Sequence, residues 1–104
     1  MLNYQFCKLL TIVTESALEP HLKRDLERLG ADGYTIVDAR GKGHRGSRDG
    51  SWGNASTNIR VEVICDAETA NAIAAHCKEA YSDNYGMIVF LRDAQVLQEH
   101  EGED

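Results

Sequence analysis

The sequence predicts a single α+β domain whose strands and helices follow one another in the order βαββαβ. Four short runs are rich in branched apolar residues, and two stretches between them repeat apolar residues at helical spacing. Glycines and polar capping residues separate most of these segments. With 104 residues, 42% of them hydrophobic, the chain can build one two-layer core but not two separate cores. We therefore treat residues 1–104 as one domain.

The first half of the chain contains a strand, a helix and a second strand. The first strand is predicted over residues 7–14 and the second over residues 33–40. Ser16 and Glu19 have the spacing of a capping box, which predicts a helix start between the strands. Gly30 should end this helix. Its core-facing side is predicted from leucines at helical spacing: Leu18, Leu22, Leu26 and Leu29.

The second half repeats the pattern. Residues 58–65 alternate between apolar and polar side chains, which predicts the third strand. Asp66 should cap the second helix, and residues 82–86 should end it. The fourth strand is predicted over residues 87–91, and residues 98–104 should form an acidic tail. The buried face of the second helix is predicted to contain Ala70, Ile73, Ala74, Cys77 and Tyr81.

Two right-handed βαβ units in this order predict a ferredoxin-like fold, with an antiparallel sheet and both helices on one face. The first strand is apolar on both sides, since Leu9 and Val13 point away from Leu10 and Ile12. The fourth strand has the same property. Because two helices cover only one face of the sheet, the second apolar face predicts a homo-oligomer.

Composition excludes several classes of function. A net charge of -6 disfavours broad binding to nucleic acid or to an anionic membrane. No apolar run is long enough for a membrane span, so we expect no direct membrane insertion and a cytoplasmic protein. The three cysteines show no spacing typical of a zinc site or a disulfide framework. No nucleophile–base or paired-carboxylate pattern is evident, so we expect no enzymatic activity.

A glycine-rich, basic segment joins the second and third strands. Gly41, Gly43 and Gly46 match GxGxxG, but the residues after them contain too much glycine for the helix that a dinucleotide site needs. A Walker A loop is also excluded, because Lys42 is followed by glycine where serine or threonine is required. Backbone amides and cations suit an anion, with phosphate the first choice. A solvated hairpin tip and an RNA-binding arm remain open alternatives.

Five segments of the chain carry a likeness to a known family. They are residues 10–15 (LTIVTE), 33–37 (GYTIV), 41–45 (GKGHR), 85–90 (YGMIVF) and 94–97 (AQVL). Together they span roughly residues 7–97, with GKGxR as the most specific part. In these segments the chain resembles the PII-like signalling proteins, in particular the branch associated with carboxysomes and bicarbonate transport.

The resemblance implies a homotrimer that binds an adenine nucleotide (AMP or ADP, or else ATP or cyclic AMP) in clefts between subunits, with no covalent cofactor. A flexible loop of about residues 41–57, called the T-loop, would change shape with the ligand. It would dock on a partner such as a bicarbonate transporter or a carboxysome-related protein. The nucleotide-binding residues implied by position are Thr35, Lys42, Gly43, Arg45, Arg48, Tyr85, Gly86, Met87 and Ile88.

Two further points qualify the resemblance. For this branch, the resemblance implies bicarbonate as a second anion beside the nucleotide phosphate, and the density of cations in the loop would suit two anions side by side. Residues 40–54 lack the glutamine with which nitrogen-sensing members bind 2-oxoglutarate and magnesium, so nitrogen sensing is not expected.

The alternative function is a divalent-metal-binding trimer of the cation-tolerance type, which has the same fold. It would need clustered ligands, and His21, His76 and the cysteines are scattered in sequence.

Overall fold

The computed structural model describes residues 1–41 and 57–98. Its elements are β1 (Tyr4–Glu15), a 3-10 turn (Ser16–Leu18), α1 (Glu19–Arg28), β2 (Thr35–Ala39), β3 (Asn58–Cys65), α2 (Ala67–Ala80) and β4 (Met87–Leu97). The strands lie in the order β2-β3-β1-β4, and every neighbouring pair is antiparallel. This is the predicted ferredoxin-like arrangement, which is confirmed.

Strands β1 and β4 are both longer than predicted. They pair along their whole length, from Tyr4 opposite Leu97 to Thr14 opposite Met87. The fourth strand was predicted to end at residue 91, and two charged residues, Arg92 and Asp93, follow it. In the structure the ladder continues through them, and the side chains of Lys8 and Asp93 form an ion pair across the two strands.

The predicted capping box at the start of α1 is wrong. Ser16 lies inside the 3-10 turn instead of before it, and no side chain of the described residues caps either the turn or α1. Glu19 pairs with Lys23 at 3.3 Å instead of reaching back to the backbone. The predicted helix end is confirmed, since Gly30 has a φ of 99°, the left-handed conformation that glycine adopts at low cost.

The cap of the second helix is also confirmed. Oδ1 of Asp66 accepts a hydrogen bond from the backbone N–H of Thr69 at 2.8 Å. The core between the sheet and the helices contains almost fully buried side chains: Leu10, Ile12, Leu18, Leu22, Leu26, Ile59, Val61, Val63, Ala70, Ile73 and Cys77. Leu29, Ala74 and Tyr81 are partly buried against it. The predicted helix faces are therefore the ones that pack.

The other side of the sheet, which we call the open face, is not covered by either helix. Its members follow from the register: Thr35, Val37 and Ala39 of β2; Asn58, Arg60, Glu62 and Ile64 of β3; Leu9, Thr11, Val13 and Glu15 of β1; and Ile88, Phe90 and Arg92 of β4. Val37, Ile64, Ile88 and Phe90 are each 40–46% exposed there. The predicted second apolar face is thus present, and in the described chain it has no cover.

Candidate functional site

One terminus of each of the four strands lies at the same end of the sheet: the ends of β1 and β2 and the starts of β3 and β4. Asn58 at the start of β3 lies opposite both Glu15, at the end of β1, and Ala39, at the end of β2. Thr14 lies opposite Met87, the first residue of β4. We call this the upper edge, formed by Ala39, Asn58, Glu15 and Gly86. The glycine-rich segment leaves the sheet and returns to it here, so the predicted anion-binding loop is attached at this edge.

Two side chains of β1 form hydrogen bonds with Gly86, the residue before β4. Oγ1 of Thr14 donates a hydrogen bond to the carbonyl of Gly86 at 2.7 Å, and Oε2 of Glu15 accepts one from its N–H at 3.0 Å. Thr14 and Glu15 are consecutive residues of β1, so their side chains lie on opposite faces of the sheet. Together they bind both the carbonyl and the N–H of Gly86. Gly86 is buried between them. The turn of residues 85–88 is therefore held firmly against β1.

A second set of contacts ties the same turn to the helices. The backbone N–H of Tyr85 donates to the carbonyl of Tyr81 at 3.0 Å, and the two rings meet edge to face, 6.2 Å apart. The hydroxyl of Tyr81 donates to Oδ2 of Asp25 in α1. Nε2 of His76 lies 2.9 Å from that same oxygen. Thus α1, α2 and the turn are joined through Tyr81.

The pKa shifts of Tyr81 and Asp25 favour a neutral phenol as the donor and an ionised carboxylate as the acceptor. Burial raises the pKa of Tyr81 to about 12, and the hydrogen bond to Asp25 acts in the same direction. Burial also favours the protonated form of Asp25. The hydrogen bond from Tyr81, the neighbouring imidazole of His76 and the contact with Arg28 outweigh this effect, and the pKa of Asp25 is lowered. At neutral pH the cluster therefore pairs a neutral phenol with an ionised carboxylate.

The structure separates the described residues of the predicted site into two groups. Thr35 is exposed on the open face at the β2 edge, and Ile88 is exposed on the open face at the β4 edge. Tyr85 and Met87 are half-buried against the core, on the side of the helices. Since β3 and β1 lie between the two edges, Thr35 and Ile88 are separated by three strand spacings, about 14 Å across the strands, and by two residues along them. One chain alone does not enclose them in a cleft.

The remaining predicted site residues, Lys42, Gly43, Arg45 and Arg48, lie outside the described residues. The predicted acidic tail also falls outside them, apart from its first residue. The roles of these residues stay predictions.

Three residues at or next to the upper edge, Thr14, Glu15 and Asn58, were missed as site residues by sequence reasoning. Thr14 and Glu15 occur in the LTIVTE segment, but nothing local showed that they hold Gly86. Asn58 is only 4% exposed, and its Oδ1 has no hydrogen-bond partner among the described residues. An unpaired buried acceptor costs about 1–3 kcal/mol. The upper edge is therefore expected to receive a hydrogen-bond donor from another group.

Within residues 1–41 and 57–98, no three His, Cys, Asp or Glu side chains are grouped so that they could hold a metal ion. No helix in those ranges has the length and apolar character needed to cross a membrane.

Comparison with known proteins identifies the family. The model of the family described as nitrogen regulatory protein P-II matches residues 7–101. The chain belongs to the P-II family. The resemblance of the five sequence segments to the PII-like signalling proteins is thereby confirmed, and the branch within that family stays a prediction.

Solved structures of P-II relatives agree with the fold over nearly the whole chain. A PII-like signalling protein of Thermus thermophilus is 38% identical, with 90% of this chain and 91% of that chain covered and a TM-score of 0.74. CPII of Thiomonas intermedia, bound to ADP and bicarbonate, is 25% identical (94% and 95% covered, TM-score 0.79). A second CPII structure, bound to ADP, AMP and bicarbonate, gives 26% identity (90% and 98%, TM-score 0.74).

Proposed function

We propose that this P-II family member is a homotrimeric signal-transduction protein that binds adenine nucleotides in the clefts between its subunits. The observation that carries the proposal is the separation of Thr35 and Ile88 on opposite edges of one open sheet face. A cleft that uses both residues has to be built from two chains. A relative of nearly the same length binds ADP and bicarbonate, which supports the choice of ligand.

A cyclic trimer satisfies this geometry. In a ring, the β2 edge of one subunit faces the β4 edge of the next, so both edges line one cleft. Thr35 would lie level with the neighbour's Phe90, and the neighbour's turn of residues 85–88 would lie at the upper end of the same cleft. The same assembly covers the open face, whose exposed Val37, Ile64 and Phe90 would otherwise remain in water. Family membership supports this arrangement, because the P-II resemblance implies a trimer.

The phosphates would lie near the upper edge, where the loop is attached. Lys42, Arg45 and Arg48 would supply positive charge, and Gly43 would let a backbone amide approach closely. AMP and ADP fit this scheme, and ATP and cyclic AMP are further candidates. Bicarbonate would lie beside the phosphate, because a dense set of cations can hold two anions side by side.

The proposed mechanism is a ligand-dependent change in the T-loop, about residues 41–57. A ligand that binds one loop arrangement better raises its population, and with it the affinity for a protein partner. We propose that the partner is a bicarbonate transporter or a carboxysome-related protein, and that the output is regulation of inorganic-carbon uptake in the cytoplasm. In this role the protein is a regulator and carries out no catalysis.

Calorimetric titration with ADP tests the nucleotide site. Wild-type protein should bind one ADP per subunit, and the double variant Arg45→Ala/Arg48→Ala should bind it at least tenfold more weakly, because two charge-assisted contacts are lost. Lys23→Ala/Arg24→Ala, which removes the same charge from α1, is the control and should bind normally. Equal ADP affinity in the wild type and the loop variant would remove the cations from the site.

A further inference from the structure

A backbone N–H in the proposed ligand-lining turn already donates a hydrogen bond to a carboxylate of the protein itself. Oε2 of Glu15 lies 3.0 Å from the backbone N of Gly86. A backbone N–H that binds a carboxylate offers the same interaction to an oxygen of phosphate or bicarbonate. The amide is therefore an anion-binding donor that the chain already fills with one of its own groups.

The donor would stay in place if Glu15 moved away. The carbonyl of Gly86 is held at 2.7 Å by Oγ1 of Thr14, from the opposite face of the sheet and in a buried position. Tyr85 is separately hydrogen-bonded to Tyr81. Glu15 is half-buried and is the last residue of β1, so its side chain can turn towards solvent without disturbing the core. Exchange of one anion for another at Gly86 thus leaves the turn intact.

Asn58 supplies a second, independent observation at the same place. It is the cross-strand partner of Glu15, and its buried Oδ1 has no partner among the described residues. Among residues 1–41 and 57–98, these two neighbouring acceptors have one donor between them, the N–H of Gly86, so the upper edge is incomplete. A ligand that carries both an anionic oxygen and a hydroxyl would complete it. Bicarbonate and the phosphorylated ribose of a nucleotide share this chemistry.

We propose that Glu15 determines anion affinity at this site, because its carboxylate competes with the anionic group of the ligand for the N–H of Gly86. The inference rests on the proposed nucleotide-binding function, to which it adds a residue and a role. Bound oxyanions must displace a negative charge or tolerate it nearby. Removing that charge should therefore strengthen binding of anions, more for highly charged ligands, and leave a neutral nucleoside unaffected.

The variant Glu15→Gln tests this by calorimetry. Glutamine keeps the length and an acceptor oxygen, so the turn stays anchored while the charge is lost. The affinity for ADP should rise about tenfold, that for AMP less, and that for adenosine not at all. Glu68→Gln removes the same charge from the exposed first turn of α2, at the other end of the sheet, and should change none of them. Thr14→Val keeps the charge and should not tighten binding.

The amide signal of Gly86 in a 15N NMR spectrum identifies the anion directly. Inorganic phosphate and bicarbonate, added separately, should shift it at lower concentration in Glu15→Gln than in wild type, and the two titrations distinguish the phosphate and bicarbonate sources. Equal midpoints in the two proteins, or an equal gain for adenosine and ADP, would overturn the role of Glu15. Failure of the wild type to bind any adenine nucleotide, with the inorganic anions still shifting Gly86, would refute the nucleotide function alone.

Discussion

The phenol hydroxyl of Tyr81 donates a hydrogen bond to Oδ2 of Asp25, and this contact joins the end of α2 to α1. The two residues are 56 positions apart in sequence. Tyr81 also packs edge to face against Tyr85, the first residue of the turn that holds Gly86. The side chain of Tyr81 therefore takes part both in the contact between the two helices and in the contact with the turn at the proposed site.

Replacing Tyr81 with phenylalanine should lower the free energy of unfolding by about 1–2 kcal/mol, because Asp25 loses a donor in a partly buried position. Tyr34→Phe is a matched control: Tyr34 is also half-buried against the core, and no partner for its hydroxyl is found in the described chain. Urea denaturation measures both. A Tyr81 variant as stable as the Tyr34 variant would show that the contact contributes little.

The pH dependence of stability should reflect Asp25. Its folded-state pKa is below the ordinary value of 3.8, owing to Tyr81, His76 and Arg28, despite the opposing effect of burial. The stabilisation is therefore complete well above pH 3.8 and is lost as the pH falls through the folded-state pKa. Asp25→Asn should be less stable than wild type at pH 7, and the difference should shrink in acid. A difference that stays constant from pH 7 to pH 3 would contradict this.

Cysteine reactivity should distinguish the three thiols. Burial raises the pKa of Cys77 to about 11, and the negative charge of Asp25 adds to the effect. Thiolate is the reactive species, so Cys77 should be alkylated last in the native protein. Cys7 and Cys65 are only half-buried. Mass spectrometry after brief iodoacetamide treatment at pH 8 reports the order, and early labelling of Cys77 would mean that the helices open readily.

The open face should be the contact surface of the trimer. Phe90→Glu places a charge among the exposed apolar side chains at the β4 edge of this face and should yield monomers in multi-angle light scattering. Leu97→Glu is the matched control, because Leu97 is more exposed than Phe90 and lies on the other face of β4. It should remain trimeric. A trimeric Phe90→Glu protein would place the subunit interface elsewhere.

Sequence patterns predicted the features that depend on near neighbours. The buried faces of the helices follow from residues three or four positions apart, as with Leu22 and Leu26, and the strand alternation follows from positions two apart. The extension of β4 was missed because its charged stretch is held by pairing with β1, which is far away in sequence. The hydrogen bond between Glu15 and Gly86 joins residues 71 positions apart, so no local sequence pattern predicts it.

The site could be predicted only in part for the same reason. Thr35 and the turn of residues 85–88 were assigned by resemblance, which gives position along the chain but not position on the sheet. Their placement on opposite edges depends on the strand order β2-β3-β1-β4, a property of the whole fold. The amide oxygen of Asn58, which has no partner among the described residues, is likewise visible only once β3 is packed between its neighbours.

The central claim is that an adenine nucleotide and bicarbonate bind together to this protein. Calorimetric titration with ADP, AMP, ATP and cyclic AMP, each with and without saturating bicarbonate at fixed pH and ionic strength, tests it most directly. We expect at least one nucleotide to bind several-fold more tightly when bicarbonate is present, the sign of positive coupling between the two ligands. Identical affinities in both conditions would contradict the coupling, and no binding of any of the four nucleotides would contradict the proposed function.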